Sequence, residues 1–146
     1  MDKSTNKSEE LITYISLVNQ KLQFKGEVSD NEPVMIDYVP PLGDNQGYTS
    51  LELLLLSLSS CVGSALLVVL RKMQKTIITF GITAKGQRKQ EHPTGFSSMQ
   101  LEIKMQSPDI TVDMLGNAIA RIEGLCPVLD MVKGNVEITY SFKITK

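Results

Sequence analysis

The chain has 146 residues, 42% of them hydrophobic, with 15 Lys and Arg against 16 Asp and Glu, for a formal net charge of -1. This length suits one ordinary hydrophobic core, and the interspersed, nearly balanced charge leaves no basic footprint for nucleic acid or an anionic membrane, so neither is expected as a partner. A small diffusible molecule fits better. The start, Met1 to Glu10, is polar and lacks the apolar stretch of a secretory signal, which predicts a cytoplasmic protein with one domain over residues 1–146 and a flexible segment at residues 1–9.

Leu11 to Val18 and Leu22 to Val28 read as strands joined by the turn-prone Asn19-Gln20, and Val34 to Tyr38 as a third. Pro40 to Tyr48 combines prolines, glycines and Asx residues and reads as a loop. Thr49-Ser50-Leu51-Glu52 has the spacing of a capping box, in which hydroxyl and carboxylate each accept a backbone N–H left free at a helix start. The apolar run Leu51 to Leu70 follows. As a helix it would rise about 30 Å, enough to cross a bilayer. Glu52, four serines and Gly63 interrupt it, and its flanks are ordinary soluble sequence. The expectation is therefore a helix apolar, and hence buried, on nearly all faces. A domain of this size does not enclose such a helix alone, which predicts a homodimer sharing one core.

Thr76 to Arg88 and Ser97 to Gln106 read as two further strands around the polar turn Lys89 to Gly95, the second strand alternating Met99, Leu101, Ile103 and Met105. Pro108 to Thr111 leads into a helix from Val112 to about Glu123, with Met114, Leu115, Ala118, Ile119 and Ile122 on one face and Gly124 as its stop. Cys126 to Val132 reads as a short helix begun by Pro127, before Lys133-Gly134-Asn135 turns into a last strand, Val136 to Ile144. The order is that of an α+β domain. Met99, Met105, Met114 and Met131 are expected to pack in the core, and His92, the only histidine, to be solvated in its turn. Gly43 and Gly47 do not have the order of a nucleotide-binding loop.

The two cysteines, Cys61 inside the apolar run and Cys126 before Pro127, are too far apart and too unlike in setting for a CxxC redox motif or a zinc knuckle. A metal site with His92 would lack a fourth ligand, and none is expected. Two possibilities remain: a pair assembled by the fold, or two unrelated core thiols. Cytoplasmic thiols are kept reduced, so a pair would be transient and catalytic, not a standing disulfide.

The run Leu51-Glu52-Leu53-Leu54-Leu55-Leu56-Ser57-Leu58-Ser59-Ser60-Cys61 resembles the hallmark helix of the OsmC/Ohr family of osmotically induced and organic-hydroperoxide-resistance proteins. Cys126-Pro127-Val128, with Lys133-Gly134-Asn135-Val136-Glu137-Ile138 behind it, is similar to the second hallmark, and the resemblance covers about residues 10–144. It implies an OsmC-like fold: an intertwined α+β homodimer with long central buried helices flanked by antiparallel sheets and two sites at the subunit interface. It also implies a cofactor-free, thiol-dependent peroxidase that reduces organic hydroperoxides in oxidative-stress defence. Cys61 would be the peroxidatic thiol and Cys126 the resolving one, with an external dithiol restoring both.

The chain departs from that pattern where the chemistry needs charge. A free thiol with a pKa of about 8.5 is only a few per cent thiolate at neutral pH, and apolar surroundings lower that fraction, so a positive group is needed. In the family's peroxidases it resembles an arginine from the N-terminal region held by a glutamate at the start of the long helix. Here the arginines are Arg71, Arg88 and Arg121. Lys21 and Lys25 are the only basic residues from position 8 to 70, and Lys25, the candidate substitute, lacks the guanidinium fork. Peroxidase members carry Pro-Glu with the glutamate ten residues before the cysteine; here those positions are Ser50 and Leu51, and Glu52 stands nine before Cys61. Glu52 therefore has two expected roles, a helix cap and a catalytic carboxylate. These departures lie nearer the family's OsmC-like branch. They leave a second reading, a non-peroxidatic OsmC-like dimer that binds a small hydrophobic molecule in an interface cleft.

Overall fold

The computed structural model of the chain describes residues 10–146, so the flexibility expected at residues 1–9 lies outside the described residues. Its contacts divide the chain into an N-terminal unit ending at Leu53 and a larger unit from Leu54 to Lys146. The element order is β1 (Tyr14–Leu17), β2 (Phe24–Glu27), β3 (Val34–Ile36), α1 (Ser50–Lys72), β4 (Thr79–Arg88), β5 (Phe96–Gln106), α2 (Val112–Ile122), α3 (Pro127–Val132) and β6 (Glu137–Thr145). This is the expected α+β succession.

In the N-terminal unit β1, β2 and β3 form an antiparallel sheet in that order. The first two strands are shorter than their apolar patterns suggest, and at the ends that face each other, Val18 and Leu22-Gln23, the reason is a larger turn. Asn19 Oδ1 accepts the backbone N–H groups of Lys21 at 2.9 Å and Gln23 at 3.1 Å, and Val18 N–H donates to the Gln23 carbonyl at 2.9 Å. An Asx side chain that captures nearby amides in this way offers the backbone an alternative to the sheet ladder.

The loop after β3 is organised by an acid that pattern reading did not single out. Asp37 is buried, and its carboxylate accepts backbone N–H groups from Tyr38 (2.8 Å), Asp44 (3.1 Å) and Gln46 (3.1 Å). Burial pushes its pKa up, but the N–H donors of Gln46, Asp44 and Tyr38, helped by the Lys21 charge, prevail and hold it below the usual carboxylate value. Gly43 is required here for close approach, because a Cβ would stand 2.2 Å from the Tyr38 carbonyl oxygen and 2.3 Å from Asp37 Oδ1.

Both ends of α1 follow from local chemistry. At its start Thr49 N–H donates to Glu52 Oε1 at 2.9 Å and Glu52 N–H to Thr49 Oγ1 at 3.2 Å, the expected capping box. At its end Gln74 takes a φ of 58°, Gln74 N–H donates to the Arg71 carbonyl at 2.9 Å and Lys75 N–H to that of Leu70 at 3.0 Å. These are the two bonds of a Schellman stop, with glutamine in the position glycine usually takes.

In the larger unit the sheet order is β4-β5-β6. β4 and β5 are antiparallel, but β6 runs parallel to β5 from Ser98↔Glu137 to Gln106↔Thr145, so this sheet is mixed and corrects the expectation of antiparallel sheets alone. The cause is connectivity. Parallel neighbours need a crossover of a dozen or more residues, and α2 with α3 provides it between β5 and β6.

Side chains alternate across this sheet. Phe80, Ile82, Met99, Leu101, Ile103, Met105, Ile138, Tyr140, Phe142 and Ile144 share one face, and Thr, Gln, Lys and Glu fill the other. The apolar face meets α1: a Cβ on Gly63 would lie 3.2 Å from Phe80 Cε1 and 3.4 Å from Ile82 Cδ1, and Leu58, Val62, Leu66 and Leu70 are fully buried. Within one chain the helix is buried along one side, while Leu56 and Val68 are half exposed. Leu115, Ala118, Ile119 and Ile122 of α2 complete the core. Met99 and Met105 are buried as expected, but Met131 is 70% exposed because α3 is a helix of six residues that turns Leu129 inward instead. Thr49→Ala removes one acceptor of the capping box and should cost about 1 kcal/mol; a denaturant midpoint unchanged by this variant would show that the box adds nothing to the fold.

Candidate thiol site

The larger unit brings Cys61 and Cys126 together. Cys61 lies on α1 one residue before the buried Val62 and is itself half-buried; Cys126 is 2% exposed and serves as the N-cap of α3. Local sequence explains how Cys126 is held. Its N–H donates to the Ile122 carbonyl at 3.1 Å, at the end of α2, and its carbonyl accepts Asp130 N–H at 3.0 Å in the first turn of α3. Pro127 takes the next position, where its missing N–H costs nothing and its fixed φ suits a helix start.

Both thiols are free. Burial pushes the Cys126 thiol up to about 11, reinforced by its hydrogen bond with Cys61 and the nearby Cys61 charge, while the N–H groups of Leu129 and Val128 act in the opposite direction. No cation contributes to this balance. At neutral pH Cys126 is therefore a neutral thiol held against its partner, and Cys61 is the less buried of the two.

Tyr140 is a third member of this neighbourhood that sequence reasoning missed. It is half-buried on the core face of β6 opposite Leu101, and burial, with the charges of Glu123 and Cys126, pushes its pKa up to about 12. Its phenol stays protonated. The signal was present in the last strand, where alternation puts Tyr140 in the inward row with Ile138, Phe142 and Ile144 and so carries a polar tip into an apolar layer.

Glu52 is exposed, and its carboxylate is held below the usual range by the backbone and side-chain hydrogen bonds of Thr49. It precedes Cys61 by nine residues along α1. Lys25 pairs with Glu27 at 3.2 Å and Lys21 with Asp44 at 2.6 Å. His92 is exposed in its turn, and among the described residues no group of three His, Cys, Asp or Glu side chains could hold a metal ion. Two adjoining thiols of unequal burial can cycle between dithiol and disulfide, provided that an oxidant and a reductant reach them.

Residues 43–141 match the family model described as OsmC-like protein. No curated protein matches the sequence significantly. Among solved structures, an OsmC-like protein from Mycoplasma pneumoniae is 16% identical with a TM-score of 0.80, covering 94% of this chain and 99% of that one. An OsmC-like protein of unknown function from Vibrio cholerae O1 biovar eltor is 14% identical with a TM-score of 0.80, covering 92% and 99% respectively. An organic hydroperoxide resistance protein from Elizabethkingia anophelis is 19% identical with a TM-score of 0.70, covering 93% and 96%. At these identities the structural likeness speaks for the fold. Because the family model spans well over half of the sequence, the chain belongs to the OsmC-like protein family.

Proposed function

We propose that the protein is a cytoplasmic, cofactor-free cysteine peroxidase of organic hydroperoxides, built as one OsmC-like domain and acting as a homodimer in oxidative-stress defence. The observation that carries this reading is the meeting of Cys61 and Cys126 from opposite ends of the larger unit, with Cys126 kept protonated. In the first step the Cys61 thiolate attacks the distal peroxide oxygen; the O–O bond breaks, the alkoxide takes a proton and leaves as alcohol, and Cys61 becomes a sulfenic acid. In the second, Cys126 forms a disulfide with Cys61 and releases water. An external dithiol then reduces the pair by two-electron exchange. Glu52 belongs to the proposed set through the family resemblance, as the carboxylate that would steady a cation near the thiolate.

The homodimer is supported by apolar surface that one chain leaves in water. Leu11, Ile12 and Tyr14 are 70%, 73% and 64% exposed, and only 33% of the most apolar window of α1 is buried. That helix is long and apolar enough to cross a membrane by length and composition alone. A core helix shared between two copies fits the same facts and agrees with the polar outer face of the adjoining sheet. Full burial of a Leu or Val side chain gains roughly 1.5–3 kcal/mol over exposure, which makes Leu56 and Val68 a sizeable reserve for association.

The second reading, a non-peroxidatic dimer that holds a small hydrophobic molecule in an interface cleft, draws on the absence of a cation among the groups that act on Cys126. Light scattering should give a mass near twice the 16.2 kDa of the chain, and a 16.2 kDa particle at micromolar concentration would remove the dimer from the proposal. Reduced protein with a dithiol should consume cumene hydroperoxide repeatedly. Cys61→Ser should bring consumption to the level of the dithiol alone, and Cys126→Ser, reduced and freed of dithiol, should stop after one peroxide per subunit with a sulfenic acid on Cys61. Absence of turnover in the native sequence would favour the ligand-binding reading.

Alkylation separates the thiols. At pH 7.5 iodoacetamide should label Cys61 first, and mass spectrometry should find Cys126 unmodified until the protein unfolds or the pH nears 11. The linkage has a definite sign. A thiol raised from its ordinary 9.0 to about 11 favours the folded state fully below pH 9 and loses that contribution as pH climbs to about 11. The alkaline fall in thermal stability should therefore be shallower in Cys126→Ala, and an identical fall would contradict the proposed burial of a neutral thiol.

A further inference from the structure

The polar outer face of the β4-β5-β6 sheet carries a groove that the thiol chemistry does not use. Strand register sets Gly81, Lys104 and Lys143 side by side across the three strands, with Thr79, Gln106 and Thr145 as the next row on the same face. A Cβ at Gly81 would meet nothing within 4 Å, and the open groove around it has a volume of about 350 Å³ with Thr79, Lys104, Lys143 and Thr145 as its polar lining. No carboxylate lines it.

The charge arrangement needs an explanation. Like charges directly opposite one another on a sheet repel, and a chain with a net charge of -1 has no general surplus of cations to place. The remaining lysine of this face, Lys85, is bonded to Glu102 at 2.7 Å. That bond engages Glu102, the acid nearest to Lys104 along its strand, although the Lys104 charge also helps to hold the Glu102 carboxyl low. Among the described residues Lys104 and Lys143 have no ion pair. Adjacent strands are about 4.8 Å apart, so both ammonium groups can converge on one anion above Gly81, and the threonine hydroxyls one pleat repeat further on can donate to it.

We propose that the Gly81 groove binds a phosphate group, free or carried by a small ester. Its two negative charges match two ammonium groups, and its several oxygens suit donors spread over two rows, whereas a carboxylate brings one charge and two oxygens. Lysine is suited to this role because it acts as a point charge and needs no planar partner. The site is independent of the peroxidase reading, since it lies on the opposite face of the sheet from Gly63 and the α1 contact.

The test is a titration of the 15N-labelled protein with inorganic phosphate at constant ionic strength, followed by amide shifts, beside parallel series with glycerol phosphate and acetate. Saturable shifts centred on Gly81, Thr79 and Thr145 are expected with phosphate. A response to glycerol phosphate as well would assign the site to phosphate esters, and a response to inorganic phosphate alone to the free ion. Lys104→Gln with Lys143→Gln should weaken binding about tenfold or more. Gly81→Leu fills the groove and leaves both charges, so it should also abolish saturation. Linear shifts without saturation, equal affinity for acetate, or full binding by Gly81→Leu would each overturn the proposal. Spectra of the variants report directly whether they remain folded.

Discussion

Water cannot solvate α1, and most of the larger unit can be understood from that constraint. Between Leu51 and Leu70 the only charged side chain is Glu52, which the capping box uses at the very start. The rest must find an apolar partner. The β4-β5-β6 sheet provides one through strict alternation, and Gly63 lets helix and sheet backbones approach where Phe80 and Ile82 stand. Shortening Gly63 to no side chain at all is what lets two aromatic and branched residues seat directly against the helix. The same sheet presents threonines, glutamines and charges on its other side, so a single layer separates core from solvent.

This packing has an electrostatic consequence for the thiols. The desolvation that makes a buried helix favourable also opposes formation of a thiolate, and Cys126 shows the result in a pKa of about 11. The fold thus holds one cysteine as a neutral thiol while leaving the other less buried, on a rigid helix. An asymmetric pair of this kind is what the proposed division between an attacking and a resolving thiol would require. Tyr140, also kept protonated by burial, adds a hydroxyl to the same neighbourhood without adding charge at neutral pH.

Much of the architecture was legible in the sequence because the rules involved are local. The Thr49 to Glu52 spacing, the period-two pattern of Met99 to Met105 and the helical face from Leu115 to Ile122 each report a preference that neighbouring residues enforce. Where the reading went wrong, non-local or side-chain chemistry intervened. The Asn19 carboxamide enlarged a turn by capturing two amides. The length of the α2 and α3 crossover made β6 parallel to β5. A helix of only six residues gave Met131 to solvent in favour of Leu129. Asp37 went unremarked because a lone acid beside a proline-rich loop looks solvated until the loop folds back onto it.

The sequence by itself determined the element order, the capped apolar helix, the family and the presence of two cysteines in unlike settings. The element order and the helix depend on composition and short-range periodicity, which any stretch of the chain expresses alone, while the family was read from the resemblance of two hallmark segments. Only the tertiary structure decided that Cys61 and Cys126 adjoin, that Cys126 is the more deeply desolvated, that Tyr140 stands with them, and that Lys104 and Lys143 face each other beside Gly81. Those are properties of register and burial. They arise from contacts between residues dozens of positions apart, whose distances no local pattern encodes.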